Sequence, residues 1–193
     1  MQGALFDVGL AAPTGFRYAP EFLTRDEESA LVQQIDPLPL KPASYKEFTA
    51  KRLVLSYGGS YDFSSNKLLN ADPIPVFLYG LRERLSEWAG IAASDFAHAV
   101  IAKYETGTQL GWHRDVPDFE EVVGVSLSGF GRMRFRRYPH KKGIKSPGLV
   151  IDLAPRSAYV LRDEARWGWQ HSISPTKALR YSITFRTRRR ASE

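Results

Sequence analysis

The feature that most limits the fold is a run of short strand-like segments beginning just beyond Phe96. His98–Tyr104, Val122–Leu127, Met133–Arg136, Leu149–Leu153, Ala158–Leu161 and Arg180–Phe185 are rich in β-branched and aromatic residues, and turn residues separate them. Six such segments within about 90 residues must pair their backbone groups while each buries one face, which argues for a sandwich or jelly roll.

Upstream the period changes to that of a helix. Thr24-x-x-Glu27 has the form of a capping box, and Ala30, Leu31, Val32 and Ile35 follow in a helix that Pro37 and Pro39 must stop. Asp72-Pro73 predicts the opening of a second helix, in which Phe77, Leu78, Leu81, Leu85 and Trp88 recur at helical spacing until Gly90 ends it. Residues 1–20, with Pro13, Gly15 and Pro20 and no sustained period, are expected to run as an extended arm over the surface. The expected architecture is α+β, with a sandwich or jelly-roll core buttressed on its outer face by the N-terminal helices. A chain of 193 residues suits one domain, with residues 1–97 as an N-terminal extension and 98–190 as the core.

Hydrophobic residues at 43% and charged residues at 25% are values of a packed globule. The absence of cysteine excludes disulfides, thiolate zinc sites and a cysteine nucleophile. The first residues, Met-Gln-Gly-Ala-Leu-Phe-Asp-Val, lack the basic start of a signal peptide, and no apolar run reaches the length of a membrane span. A cytoplasmic monomer is the expectation. The net charge of +6 and pI near 9.6 suit a polyanionic partner.

Chemistry concentrates at Gly111-Trp112-His113-Arg114-Asp115. On extended backbone, side chains two residues apart leave the same face about 6 to 7 Å apart, so His113 and Asp115 can close on one ion. His171, in Trp-Gly-Trp-Gln-His-Ser-Ile-Ser, resumes a strand-like pattern after a loop. Two His and one Asp leave three positions open on an octahedral ion, the facial triad of non-haem Fe(II) oxygenases; zinc accepts the same donors. Tyr61 and Phe63, beyond Gly58-Gly59, sit where aromatics either stack on a base or close over a core. Trp112, Trp167 and Trp169 either line a pocket or pack against the sheets. His98, at the start of a strand, and His140, in a basic loop, are left outside the site.

On these residues, positions 98–190 resemble the AlkB family of Fe(II)- and 2-oxoglutarate-dependent dioxygenases. Tyr104, His113-Arg-Asp115, His171 and Arg180-x5-Arg186 carry the likeness, and Lys51 to Phe63 resembles the family's nucleotide-recognition lid. The resemblance implies a double-stranded β-helix (jelly-roll) core in which His113, Asp115 and His171 bind Fe(II). It implies that Arg180, with the Tyr104 hydroxyl, holds the far carboxylate of 2-oxoglutarate, with Arg186 nearer the iron-bound end, and that O2 is the oxidant. Alkylated DNA or RNA would be the substrate: hydroxylation of an N-methyl group gives a hemiaminal that loses formaldehyde. Tyr61, Phe63 and the His113 ring would sandwich the base, Trp112 would line the pocket, and Lys51, Arg52 and Arg188 to Arg190 would hold phosphates, with Arg134, Arg136 and Arg137 as a further phosphate-contacting strand. Many members carry asparagine where this chain has Ala102 and Ser182, both at hydrogen-bonding positions around the co-substrate. A 2-oxoglutarate-dependent hydroxylase or demethylase of protein or small molecules, and a catalytically silent barrel that only binds nucleic acid, are the alternatives.

Overall fold

Thirteen strands and three α-helices form among the residues that the computed structural model describes, which are 12–45, 48–62, 67–140 and 148–189. In chain order they are β1 (Phe16–Ala19), α1 (Arg25–Ile35), β2 (Lys41–Tyr45), β3 (Phe48–Tyr57), β4 (Ser60–Asp62), β5 (Lys67–Leu69) and α2 (Tyr79–Ala89). Then follow β6 (Phe96–Tyr104), β7 (Leu110–His113), β8 (Phe119–Leu127), β9 (Gly131–Arg137), β10 (Leu149–Leu153), β11 (Ala158–Leu161), α3 (Asp163–Trp167), β12 (Trp169–Ile173) and β13 (Arg180–Arg188). A seven-stranded antiparallel sheet runs β1-β11-β8-β13-β6-β3-β2, a four-stranded one runs β10-β9-β12-β7, and β4 pairs with β5 separately. Two antiparallel sheets face to face over a shared core make the expected jelly roll.

Alternation along the long central strands sorts the side chains into two cores. Ala99, Ile101, Val123, Val125, Leu127, Tyr181, Ile183 and Phe185 leave one face of the large sheet and bury Ile35 of α1 and Leu78, Leu81 and Leu85 around α2. Val122, Tyr159 and Leu161 leave the other face and meet Met133, Phe135, Trp169 and Ile173 of the small sheet. Residues 98, 102 and 104 of β6, 124 and 126 of β8, and 180, 182, 184 and 186 of β13 share this second face, so the polar members of these strands point between the sheets.

The Thr24 capping box forms as expected, with the Thr24 hydroxyl accepting from Glu27 N–H and Glu27 accepting from Thr24 N–H. Trp88 packs on the helix-side core. Two expectations need correction. The second helix opens later than Asp72-Pro73, through a 3-10 turn at Val76–Leu78. Pro73 and Pro75 each bias the preceding residue away from helical dihedrals, so the segment stays extended until both are passed. The stretch before α1 does not run over the surface as an arm but forms an edge strand: β1 pairs with β11, and Phe16 and Tyr18 pack on the inter-sheet core; residues 1–11 lie outside the described residues. In addition β2 and β3, from the expected extension, join the large sheet next to β6.

Two glycines make room between the sheets. A Cβ at Gly124 would lie 2.5 Å from the Tyr159 ring, and one at Gly131 would lie 2.5 Å from Arg180 Nε. Any larger residue would push these two side chains out of the inter-sheet space. Among the described residues no helix is long and apolar enough to cross a membrane.

Candidate active site

β7 carries His113 and β12 carries His171, and the antiparallel register sets the two opposite one another. Cross-strand partners share a sheet face, so both imidazoles turn into the inter-sheet space, with ring centroids 4.2 Å apart. Asp115, two residues further on, joins them. One nitrogen from each histidine and one carboxylate oxygen all lie within 4.8 Å of one another.

The surrounding hydrogen bonds leave a donor atom free on both His113 and Asp115. His113 Nδ1 lies 2.9 Å from the Gly111 carbonyl oxygen; a carbonyl only accepts, so Nδ1 carries the proton and Nε2 is left for a metal. Asp115 Oδ1 accepts from Arg186 Nε and lies 2.7 Å from Nη2, whereas Oδ2 faces His171 Nε2 at 3.7 Å. Burial pushes the Asp115 carboxyl up, but Arg186 above all, then His171, His113 and Arg166, hold it well below the usual carboxylate range. Burial, reinforced by His113, pushes His171 down to about 3, and burial likewise lowers His113. At neutral pH the set is one carboxylate and two neutral imidazoles, the states that ligate a divalent cation. Two nitrogens and one oxygen fit iron(II), with room for further ligands.

Two buried groups that sequence reasoning passed over support this set. His98 stacks on Phe119 at 4.6 Å between centroids and places Nδ1 3.5 Å from Arg186 Nη1. Burial first, then Arg186, push its pKa down to about 3, so it stays neutral beside the guanidinium. The signal was present: His98 is six residues from Tyr104 on one strand, an even spacing that puts both on one face. Arg166 of α3 is almost fully buried, and its Nη2 donates to the carbonyls of Asp115, Val116 and Phe119 at 3.1, 2.8 and 2.8 Å. It clasps the loop that carries Asp115. Nothing local in the sequence marks it, because the carbonyls it holds lie 47 to 51 positions away.

The far end of the inter-sheet space is built differently. Arg180 is 1% exposed; its Nε donates to Ser126 Oγ at 2.9 Å and its guanidinium lies 4.9 Å from the Tyr104 ring centroid. No carboxylate pairs with it among the described residues, and its buried Nη1 has no partner. A buried guanidinium with an orphan donor fits an incoming carboxylate. Burial raises the Tyr104 phenol, yet Arg52 and then Arg180 bring it below its ordinary value. Arg186, expected nearer the iron-bound end of the co-substrate, has its Nε and Nη2 on Asp115 Oδ1, at the metal-donor end of the space.

The expected substrate residues are more scattered. Lys51 is exposed on β3. Arg52, expected beside it as a phosphate contact, leaves the opposite face of the strand and turns inward, with Nη1 3.5 Å from the Tyr104 hydroxyl. Trp112, expected in the pocket, leaves β7 on the face opposite to His113 and lies under the Arg134 and Arg136 guanidiniums at 5.0 and 4.5 Å; strand alternation forbids both neighbours from facing inward. Trp169 is core, and Trp167 donates to Glu120 Oε1. Arg137 pairs with Glu164 at 2.8 Å, Arg188 and Arg189 are exposed, and His140 is exposed as expected. The Tyr61 side chain, Phe63 and Arg190 lie outside the described residues.

Comparison with known proteins gives consistent results. The family model described as 2OG-Fe(II) oxygenase superfamily matches residues 15–186. The chain is 30% identical over 193 residues to the alkylated DNA repair protein ALKBH8 homolog of Arabidopsis thaliana, covering 88% of this chain and 53% of that protein. It is 28% identical over 118 residues to the probable RNA/DNA demethylase ALKBH6 of Danio rerio, covering 61% of this chain and 48% of that protein. The chain thus spans about half the length of these curated relatives. The structure of OsALKBH1 superposes with a TM-score of 0.69 at 14% identity, over 93% of this chain and 100% of that one, which is a likeness of fold.

Proposed function

The chain belongs to the 2OG-Fe(II) oxygenase superfamily and is AlkB-like, and from that premise we propose that it oxidatively removes alkyl groups from N-alkylated bases in DNA or RNA. The family uses Fe(II), 2-oxoglutarate and O2. The observation that carries the reading is the His113, Asp115, His171 cluster lying in one inter-sheet space with a buried, uncompensated Arg180. One end suits a divalent metal and the other a carboxylate.

In this reading His113 Nε2, His171 and Asp115 Oδ2 hold the iron, and Arg180 binds the far carboxylate of 2-oxoglutarate with the Tyr104 hydroxyl beside it. Bound there, the iron, the oxo acid and oxygen supply the oxidation of a C–H bond next to a ring nitrogen, whose product sheds formaldehyde. The remaining work falls to the chain. Arg186 fixes Asp115 in rotation, Gly111 fixes the His113 tautomer, and Arg166 holds the loop between them and β8. Phe135, fully buried with its ring 6.2 Å from that of His171, keeps water from that side of the donors.

Nucleic acid as the target rests on the alkylation-repair and demethylase names of the relatives and on charge. The outer face of the small sheet carries Arg132, Arg134 and Arg136 with Trp112 among them, and neither Arg134 nor Arg136 meets a carboxylate among the described residues. A basic strand with an aromatic in reach suits a phosphate backbone and its bases. The test is succinate and formaldehyde release by iron-loaded protein given 2-oxoglutarate, oxygen and oligonucleotides bearing 1-methyladenine or 3-methylcytosine, with His113→Ala as control. Formaldehyde should require the methylated base and vanish in the variant. Succinate without formaldehyde would move the substrate to protein or a small molecule.

A further inference from the structure

We infer that Arg52 is a second cation for the far carboxylate of the 2-oxo acid, acting as a pair with Arg180 on either side of Tyr104. The inference rests on the reading of Arg180 given above. It starts from register. β3 and β13 both pair with β6, which lies between them. On one side Arg180 is the direct partner of Tyr104. On the other, Leu53 pairs with Lys103 and Val54 with Ala102, so one further step sets Arg52 opposite Tyr104. Arg52, Tyr104 and Arg180 therefore form a row across three neighbouring strands, and their side chains share the inter-sheet face.

The side-chain geometry agrees. Both guanidiniums reach over the same phenol, at 6.0 and 4.9 Å from its centroid, and Arg52 Nη1 lies 3.5 Å from its oxygen. Arg52 is half-buried and has no carboxylate partner among the described residues. Its Nε and the Nη1 of Arg180 are both buried donors without an acceptor. The inward carboxylate of the cavity, Asp115, is already engaged by Arg186. Two cations converge on the Tyr104 phenol, and neither it nor the Ser126 hydroxyl that accepts from Arg180 supplies a full negative charge. Such an arrangement needs an anion.

A carboxylate meets the need stereochemically, since its two oxygens offer about four lone-pair directions. It can accept from Arg180 Nη1, from Arg52 and from the Tyr104 O–H at once. The neighbouring position on β6 is Ala102, which has no polar side-chain atom, so Arg52 supplies from β3 a donor that β6 does not. A monocarboxylic oxo acid such as pyruvate would leave both guanidiniums unmatched, so the pair selects a dicarboxylate.

The experiment is calorimetric titration of 2-oxoglutarate, and separately of pyruvate, into protein loaded with Mn(II) in place of iron. The proteins are wild type, Arg52→Met, Arg52→Lys and Arg180→Met, with Mn(II) affinity from the free-ion EPR signal and oligonucleotide affinity without co-substrate as parallel readouts. Arg52→Met should raise the 2-oxoglutarate Kd at least ten-fold, narrow the preference over pyruvate, and leave Mn(II) and oligonucleotide binding within two-fold. The lysine variant keeps the charge and should fall between wild type and Arg52→Met; if the methionine variant does not fold, Arg52→Gln takes its place, and a Kd equal to wild type in it would overturn the proposal. Unchanged 2-oxoglutarate binding in Arg52→Met also overturns it, and if oligonucleotide binding falls instead, Arg52 belongs to the substrate. Loss of binding in Arg180→Met with no change in the Arg52 variants defeats this inference alone; no change in Arg180→Met defeats the reading of that end of the cavity as well.

Discussion

Asp115 and Arg186 are 5% and 16% exposed at their side chains and pair at 2.7 Å. Removing one partner leaves the other charged in a poorly solvated space, so Asp115→Ala should destabilise the metal-free protein by roughly 3 kcal/mol in urea unfolding. Much of that should return in Asp115→Leu/Arg186→Met, which strands no charge; a double variant as unstable as the single would refute the account. His98 makes a second prediction. Its pKa is about 3 folded, against 6.5 as the ordinary value. The unfolded chain therefore takes up the proton first on acidification. Stability is unaffected by this group above pH 6.5 and falls below it, by up to ~1.4 kcal/mol per pH unit until about pH 3. In metal-free protein His98→Asn should flatten the decline between those limits, measured as unfolding free energy against pH, and an unchanged slope would mean that another group governs it.

At the scale of elements, the arrangement depends on small residues as much as on functional ones. Gly131 opens β9, and the space above it is occupied by the Arg180 side chain. A methyl group there would sit 2.5 Å from Arg180 Nε, so the guanidinium must shift. We expect Gly131→Ala to weaken 2-oxoglutarate binding several-fold while leaving Mn(II) binding unchanged, because the metal donors sit on β7, β12 and the loop after β7. Equal loss of both would indicate that the sheet itself had moved. The short α3 has a comparable positioning role, since it supplies the Arg166 clasp on the Asp115 loop.

Across the whole molecule, the net charge of +6 should appear as a salt-dependent affinity for single-stranded oligonucleotides, with log Kd rising linearly in log salt. Arg134→Gln/Arg136→Gln should lower that slope by about 1 to 2, in line with ~0.7 to 0.9 per phosphate contact, without altering 2-oxoglutarate binding. A slope equal to wild type would place the nucleic acid elsewhere. The sequence by itself determined the strand-rich core, the existence of the first two of the three helices and the order of the donors along the chain, because periodicity and spacing are local: His113 and Asp115 are two apart, and Arg180 and Arg186 six apart, whatever surrounds them. It did not show β1, which read as an arm over the surface, since Phe16 finds its partner Leu161 far along the chain. Only the tertiary structure decided which arginine is matched. Arg186 meets Asp115, Arg180 meets no carboxylate among the described residues, and Arg52 turns from the expected phosphate contact to the Tyr104 hydroxyl. The physical reason is that a charge's partner is fixed by strand order and register between segments 50 to 80 residues apart, as Tyr104 is to Arg52 and Arg180, and residue spacing along one strand carries no information about either.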